Sequence, residues 1–336
     1  MTLAIDDGAL PPTSDDREIW DCWLSQFRLP VVTVADEAGT FDALAQRLGV
    51  DARALGIHLG LLAATGFVER RDGLWRATAV SRRWLHHDAP GYYGPALHGF
   101  RDRNPLHGQL LATLRTGARA AGHVSAADEW ERGEMPAAMA RDITAYMNAH
   151  SRAAALAVAQ HALFADVRSL LDVGGGSAIF SLELARVWPA LGATIFEIAP
   201  VCREADRYIG DAGLGSRVAT HVGNMFTDGW PAGHDAHFLS NIFHDWSDAT
   251  CQRLADAAFT ALPSGGRILL HEMLMDDDQC GPWPVAAFSL LMLLGTKGRQ
   301  YSLPELKAML QQAGFTDVAA MRTGGGYYSL VSARKP

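Results

Sequence analysis

Cysteine is scarce. Cys22, Cys202, Cys251 and Cys280 are the only four in 336 residues, far apart and never in a C-x-x-C pair, which excludes a zinc ribbon and a redox dithiol. Positive charge is short as well: 29 Lys and Arg against 37 Asp and Glu leave a formal charge of -8. Phosphate backbones and anionic lipid are held by clustered cations, so neither nucleic acid nor a membrane is expected as a partner. No apolar run reaches the ~20 residues that span a bilayer. The longest, Val285 to Leu294, is interrupted by Ser289 and reads as a buried helix. The first residues are acidic at Asp6 and Asp7, without the basic and apolar regions of a signal peptide, so a cytoplasmic protein with reduced thiols is expected. What the chain has in quantity is core: 49% hydrophobic and 20% charged residues suit a globular protein of more than one ordinary domain.

Residues 1–16, with Pro11-Pro12 and several acids, read as a flexible lead-in. A helix then starts from a cap at Asp15 or Asp16, with Trp20, Trp23, Leu24 and Phe27 forming an apolar stripe that needs a partner surface. A second helix is predicted from Thr40 to Leu48, and a third from an Asp51 cap through Leu55, Leu59 and Leu62 to a stop at Gly66. Val68 to Thr78 reads as a hairpin around Asp72-Gly73. Helices followed by a hairpin suggest a winged helix over 17–100, yet its basic residues alternate with acids and present no DNA-binding face. A Gly- and Arg-rich linker is expected between Tyr92 and Arg119.

From about Ser169 the pattern becomes α/β. Short apolar strands alternate with helices: Ser169 to Val173, Ala193 to Ile198, Val218 to Val222, Ala236 to Ser240 and Arg267 to Glu272. This predicts a doubly wound, Rossmann-like parallel sheet over 101–336, with ligands at the strands' carboxyl ends. Ser302-Leu303-Pro304-Glu305 is a capping box that opens a helix ending near Gly314. Asp317 to Arg322 and Tyr327 to Ala333 then form an antiparallel hairpin at the sheet edge.

Asp172-Val173-Gly174-Gly175-Gly176 stands at a strand-to-helix turn, where missing β-carbons let a ligand approach the backbone. Glu197, about twenty residues on, suits ribose hydroxyls. Together they say nucleoside cofactor without saying which. Gly223-Asn224-Met225-Phe226 follows the third strand of the sheet, where an amide beside apolar side chains suits a purine. Asn241-Ile242-Phe243-His244-Asp245-Trp246-Ser247-Asp248 follows the fourth.

These motifs resemble the class I methyltransferases of the plant caffeate and animal hydroxyindole O-methyltransferase type and their bacterial natural-product relatives. The match extends over nearly the whole chain, with His244-Asp245-Trp246-Ser247-Asp248 its most specific piece. The resemblance implies S-adenosylmethionine as cofactor, a small aromatic acceptor, and a homodimer interlocked through the winged helix. It places Gly174, Gly175, Gly176 and Glu197 on the cofactor, Asn224, Met225 and Phe226 at its adenine, and Ser240 and Ser151 near its methionine portion. Met147 matches a family methionine that clamps the acceptor.

Methyl transfer needs the acceptor in line with the methyl carbon and a base for its proton. A phenol of pKa about 10 is neutral at pH 7, and an imidazole of pKa about 6.5 is a suitable base. His244, at the sheet end where the ligands meet, is the expected base. Glu272, ending the fifth strand, is expected to orient it, and Asp245 to support the loop. Phe288 and Leu291, on the apolar helix Trp283 to Leu294, are expected to line the acceptor pocket. Gln300 also belongs to the acceptor side, but it stands where plant members carry a second catalytic glutamate and cannot hold negative charge. No spacing supports a metal. The alternatives are C-methylation of an aromatic or α-keto acid, a non-catalytic winged-helix regulator, and a nicotinamide dehydrogenase, which would leave the His-Asp-Trp motif unexplained.

Overall fold

The computed structural model describes residues 15–40, 49–119, 126–324 and 326–336. Its amino-terminal part is helical: α1 (Arg17–Leu24), a 3₁₀ turn over Ser25–Phe27, α2 (Arg28–Glu37) and α3 (Ala52–Ala64). The predicted stripe is thus divided, because Pro30 has no N–H to donate and fits only the first turn of a new helix. Asp51 caps α3 by accepting from the Ala54 N–H at 2.8 Å. The helix stops before Gly66, which takes φ +86° at little steric cost. The helix predicted from Thr40 to Leu48, beyond Thr40 itself, and most of the lead-in fall outside the described residues. The hairpin is present as β1 (Val68–Arg71) and β2 (Leu74–Ala77), paired antiparallel.

Between Tyr92 and Arg119 the expectation of a linker is corrected. After α4 (Ala79–Trp84) come α5 (Gly94–Arg101) and α6 (Pro105–Thr116). Pro95 and Pro105 stand in the first turns of the last two, and Gly117 ends α6 at φ +66°. The Gly and Pro residues punctuate helices here. Next follow α7 (Ala126–Arg132) and the long α8 (Ala137–Ala159).

The sheet is built from β3 (Ser169–Val173), β4 (Gly192–Glu197), β5 (Val218–Val222), β6 (Ala236–Ser240), β7 (Arg267–Met273), β8 (Thr316–Arg322) and β9 (Tyr328–Arg334). Its order is β5-β4-β3-β6-β7-β9-β8. The first five strands are parallel, whereas β9 runs antiparallel to β7 and to β8. Helices α9 (Ile179–Val187), α10 (Ala199–Asp211), α11 (Asp248–Ala261), α12 (Trp283–Gly295) and α13 (Leu303–Gln312) complete the chain. Strand order reverses at β3 and β6, so the crevice above their carboxyl ends is where such a sheet binds ligands. The Ser302 capping box forms as the sequence predicts.

The aromatic stripe needs no second chain to cover it. Trp20, Leu24 and Phe27 are buried, and the Trp20 ring meets Phe288 of α12 edge-on at 5.1 Å and Tyr328 of β9 at 6.0 Å. One apolar cluster runs from these helices through Leu61 and Leu293 to Leu170 and Ile195 of the sheet. Periodicity shows that a face is apolar without showing whether its cover comes from the same chain.

Candidate active site

A cavity of about 340 Å³ opens at the carboxyl ends of β3, β4 and β6. Gly174, Gly175 and Gly176 form one wall, with Gly174 and Gly176 at φ +69° and +53°. A β-carbon on Gly175 would fall 2.7 Å from the Asp172 carboxyl carbon, so the turn is closed to side chains. Beside it the Ser177 hydroxyl is buried without a partner, and Glu197 presents a buried carboxylate. Burial pushes Glu197 up to about 7, against the Ile198 N–H and the Trp130 indole, both of which donate to it. Asp172 is likewise raised to about 7 by burial, which outweighs the Ser181 hydroxyl bonded to it at 2.6 Å. Exposed backbone, an orphan hydroxyl and a buried acid make a cradle suited to a nucleoside.

Met225, Ser240, Ser151, Met147, Phe288 and Leu291 also line this cavity. Ser240 shares its hydroxyl with His271 Nδ1 at 2.8 Å. Asn224 and Phe226 lie on a narrow cleft beside it that shares Gly174, Glu197 and Met225. The Asn224 amide donates to the carbonyls of Trp130 and Glu131 and accepts from the Phe226 N–H. It therefore ties α7 down over the cleft. Gln300 is not on the wall of the main cavity. It borders a separate cavity of about 260 Å³ with Arg53, Ser289 and Glu305, its side-chain oxygen and nitrogen buried and unpartnered.

His244 and Glu272 meet as the sequence suggests. Glu272, the sixth residue of β7, reaches the short 3₁₀ turn Phe243–Asp245 and accepts from His244 Nδ1 at 2.7 Å through Oε2. Its Oε1 accepts from the Ile242 and Phe243 N–H groups at 3.1 and 2.9 Å. With Nδ1–H donated to a carboxylate, Nε2 carries the free lone pair. Burial opposes the imidazolium, but the charges of Glu272 and Asp245 and the Glu272 hydrogen bond outweigh it, so His244 titrates above its usual range. Asp245, 3.7 Å from Nε2, is pushed up to about 6 by burial, against the attraction of His244. The Phe288 ring meets the imidazole edge-to-face with its centre 5.2 Å away. With His244 as the base, Glu272→Gln is expected to lower kcat less than His244→Ala, because the imidazole stays and only its orientation and charge support go; steady-state kinetics of the two variants checks the order.

The family model for the O-methyltransferase domain matches residues 109–316. The chain belongs to this O-methyltransferase family. It is 34% identical to the 3-hydroxy-5-methyl-1-naphthoate 3-O-methyltransferase of Streptomyces sahachiroi over 96% of both chains. It is 28% identical to the L-tyrosine C(3)-methyltransferase of Streptomyces lavendulae over 84% of this chain and 82% of that one. In structure it is similar to an O-methyltransferase family 2 protein from Planctomyces limnophilus solved with apigenin, with a TM-score of 0.84, 26% identity and 99% and 100% of the two chains covered. This O-methyltransferase depends on S-adenosylmethionine, and the nucleoside that the glycine turn left open is adenosine.

Sequence reasoning missed several residues of the cavity wall. Trp130, Tyr146, His150, Ser177 and Asn241 all contribute to it. Ser177 adjoins the glycine turn and could have been inferred; Trp130 could not, since nothing in its neighbourhood signals that α7 folds back over Glu197. Asn241 takes φ +57° and accepts from Tyr328 Oη at 2.9 Å, a contact with the last strand that no local pattern reveals. His271 stacks on Tyr328 at 4.5 Å, and burial pushes it down to about 3, so it is a neutral structural residue. Among the described residues no three His, Cys, Asp or Glu side chains gather as a metal site, and no helix is long and apolar enough to cross a membrane.

Proposed function

We propose that the O-methyltransferase uses His244 as general base toward a hydroxyl of a small, flat aromatic acceptor. The observation that carries this is the His244 imidazole, pinned by Glu272 on the wall of the cavity that also holds the glycine turn. When bound, S-adenosylmethionine supplies a sulfonium methyl group that a nucleophile can take. Gly174, Gly175, Gly176, Ser177 and Glu197 would hold its nucleoside, and Ser151 and Ser240 would lie toward its methionine portion. Met147, Phe288, Leu291 and Met292 offer an apolar slot that clamps a planar ring and excludes water. His244 Nε2 accepts the hydroxyl proton as the oxygen attacks, and Glu272 stabilises the imidazolium. Isothermal calorimetry with S-adenosylhomocysteine and NAD, followed by turnover of a hydroxynaphthoate, tests the reading. Binding of NAD alone, or the absence of turnover across phenolic acceptors, would overturn it.

A second reading keeps the same base but moves the methyl to carbon. It is favoured by the C-methylating relative. Carbon NMR of the product separates the two, since O-methyl and C-methyl carbons differ widely in shift.

We further assign residues 17–100 to dimerisation and 101–336 to methyl transfer, in a cytoplasmic homodimer. Free thiols at all four cysteines suit a reducing compartment. Exposed Val80, Trp84, Tyr93 and Phe100, rather than the covered Trp20 stripe, supply the apolar surface. Light scattering at micromolar concentration should give twice 36.2 kDa; a single-chain mass would refute the dimer.

A further inference from the structure

We infer that Arg53, in the amino-terminal helical layer, is a positioning residue for the catalytic histidine, acting through the backbone of Lys297 and Gly298. This rests on His244 being the base.

Arg53 lies in the first turn of α3, which Asp51 caps. Its Nη1 donates to the Gly298 carbonyl at 2.9 Å and the Lys297 carbonyl at 3.3 Å, and its Nη2 donates to the Gly117 carbonyl at 3.3 Å. One half-buried guanidinium thus gathers three carbonyls from the segment after α12 and the end of α6. A rigid, planar fork can do this where a single ammonium cannot.

The gathered segment rests directly on the loop that carries the base. The Lys297 N–H donates to the Asp245 carbonyl at 3.1 Å. A β-carbon on Gly298 would lie 2.1 Å from the His244 carbonyl oxygen and 2.6 Å from the Trp246 nitrogen, so the two backbones are in contact with no room between them. Tyr301 Oη adds a bond to the Trp246 carbonyl at 3.0 Å. From the other side the Lys297 ammonium pairs with Glu131 of α7, the helix whose Trp130 reaches Glu197. Residues 297 and 298 therefore join the base loop, the cover over the cofactor cleft and the amino-terminal layer. Glu272 fixes the imidazole and the Ile242–Phe243 backbone ahead of it, and the Lys297–Gly298 segment held by Arg53 braces the backbone from His244 to Trp246 behind it.

Arg53→Met removes the donors and keeps most of the stem; Arg53→Lys keeps the charge and loses the fork. Arg53→Met should lower kcat roughly 10- to 100-fold, with the Kd for S-adenosylhomocysteine and the acceptor KM within about twofold of wild type, and Arg53→Lys should recover part of the loss. The deciding measurement is the double variant with His244→Ala. Once the imidazole is gone its position is immaterial, so Arg53→Met should cost less than about twofold on the residual rate. Gly298→Ala, which wedges the two backbones apart, should also lower kcat while retaining S-adenosylhomocysteine binding. An unchanged kcat per folded enzyme in Arg53→Met, an equal fold loss in the His244→Ala background, or a loss confined to KM would each overturn the assignment. Should Arg53→Met fail to fold, Arg53→Lys carries the same cycle. If His244→Ala alone leaves kcat intact, it is the base reading that falls.

Discussion

Replacing His244 by alanine should lower kcat by roughly 10² to 10⁴ while S-adenosylhomocysteine binds almost as before. The expectation follows from what the side chain touches. Its Nδ1 is spent on Glu272 and Nε2 is its remaining proton acceptor, whereas the glycine turn follows β3 and Glu197 ends β4. Cofactor affinity and proton transfer are thereby expected to rest on different residues of the one cavity. A pH profile adds a test that a misfolded variant cannot imitate. The base must be neutral, and Glu272 and Asp245 hold His244 above 6.5 despite its burial. The wild-type rate should therefore rise with pH along a limb centred above that value, and His244→Ala should lose the limb. Wild-type turnover in the variant on a good acceptor would leave positioning alone as the source of catalysis.

The second large effect is expected at Glu197. Glu197→Ala should weaken S-adenosylhomocysteine binding by ~1.5 to 3 kcal/mol, the worth of hydrogen bonds to a charged acceptor, or roughly 10- to 150-fold in Kd. Calorimetry measures it directly. The buried carboxyl titrates at about 7. An ionised carboxylate is the better acceptor for ribose hydroxyls, so wild-type affinity should fall as pH drops through 7. Glu197→Gln, which has no charge to lose, should bind more weakly at pH 8 and with little pH dependence. An unchanged Kd for S-adenosylhomocysteine in Glu197→Ala would show that Glu197 is not the ribose acceptor.

Much of this was legible in the residues because each piece is local. A strand of apolar residues ending in three glycines, and an acid closing the next strand, specify a nucleoside cradle wherever the sheet forms. The Ser302 capping box and the Asp51 cap announce helix starts within four residues. His244 and Glu272, 28 residues apart, were paired only by supposing that strands four and five are neighbours, as they are. The family resemblance supplied the rest of that step. Illegible features all depend on distant packing. Trp20 meets Phe288 across 268 positions, so an apolar stripe looked like an interface. Tyr92 to Arg119 looked like a linker because Gly and Pro mark helix ends as readily as loops. Position in a motif points Gln300 toward the acceptor, whereas its amide borders a cavity whose other wall comes from α3.

The pairing of β9 between β7 and β8 also sets the order in which a newly made chain becomes an enzyme. On the ribosome the five parallel strands emerge first, and β7 then waits with one edge unpaired through the following fifty or so residues. Only when Tyr328 arrives does Asn241 gain its partner in the left-handed turn and His271 the ring on which it stacks. Nascent chains halted before residue 328 should be collapsed but exposed along the β7 edge, the kind of species that sticks to its neighbours during translation.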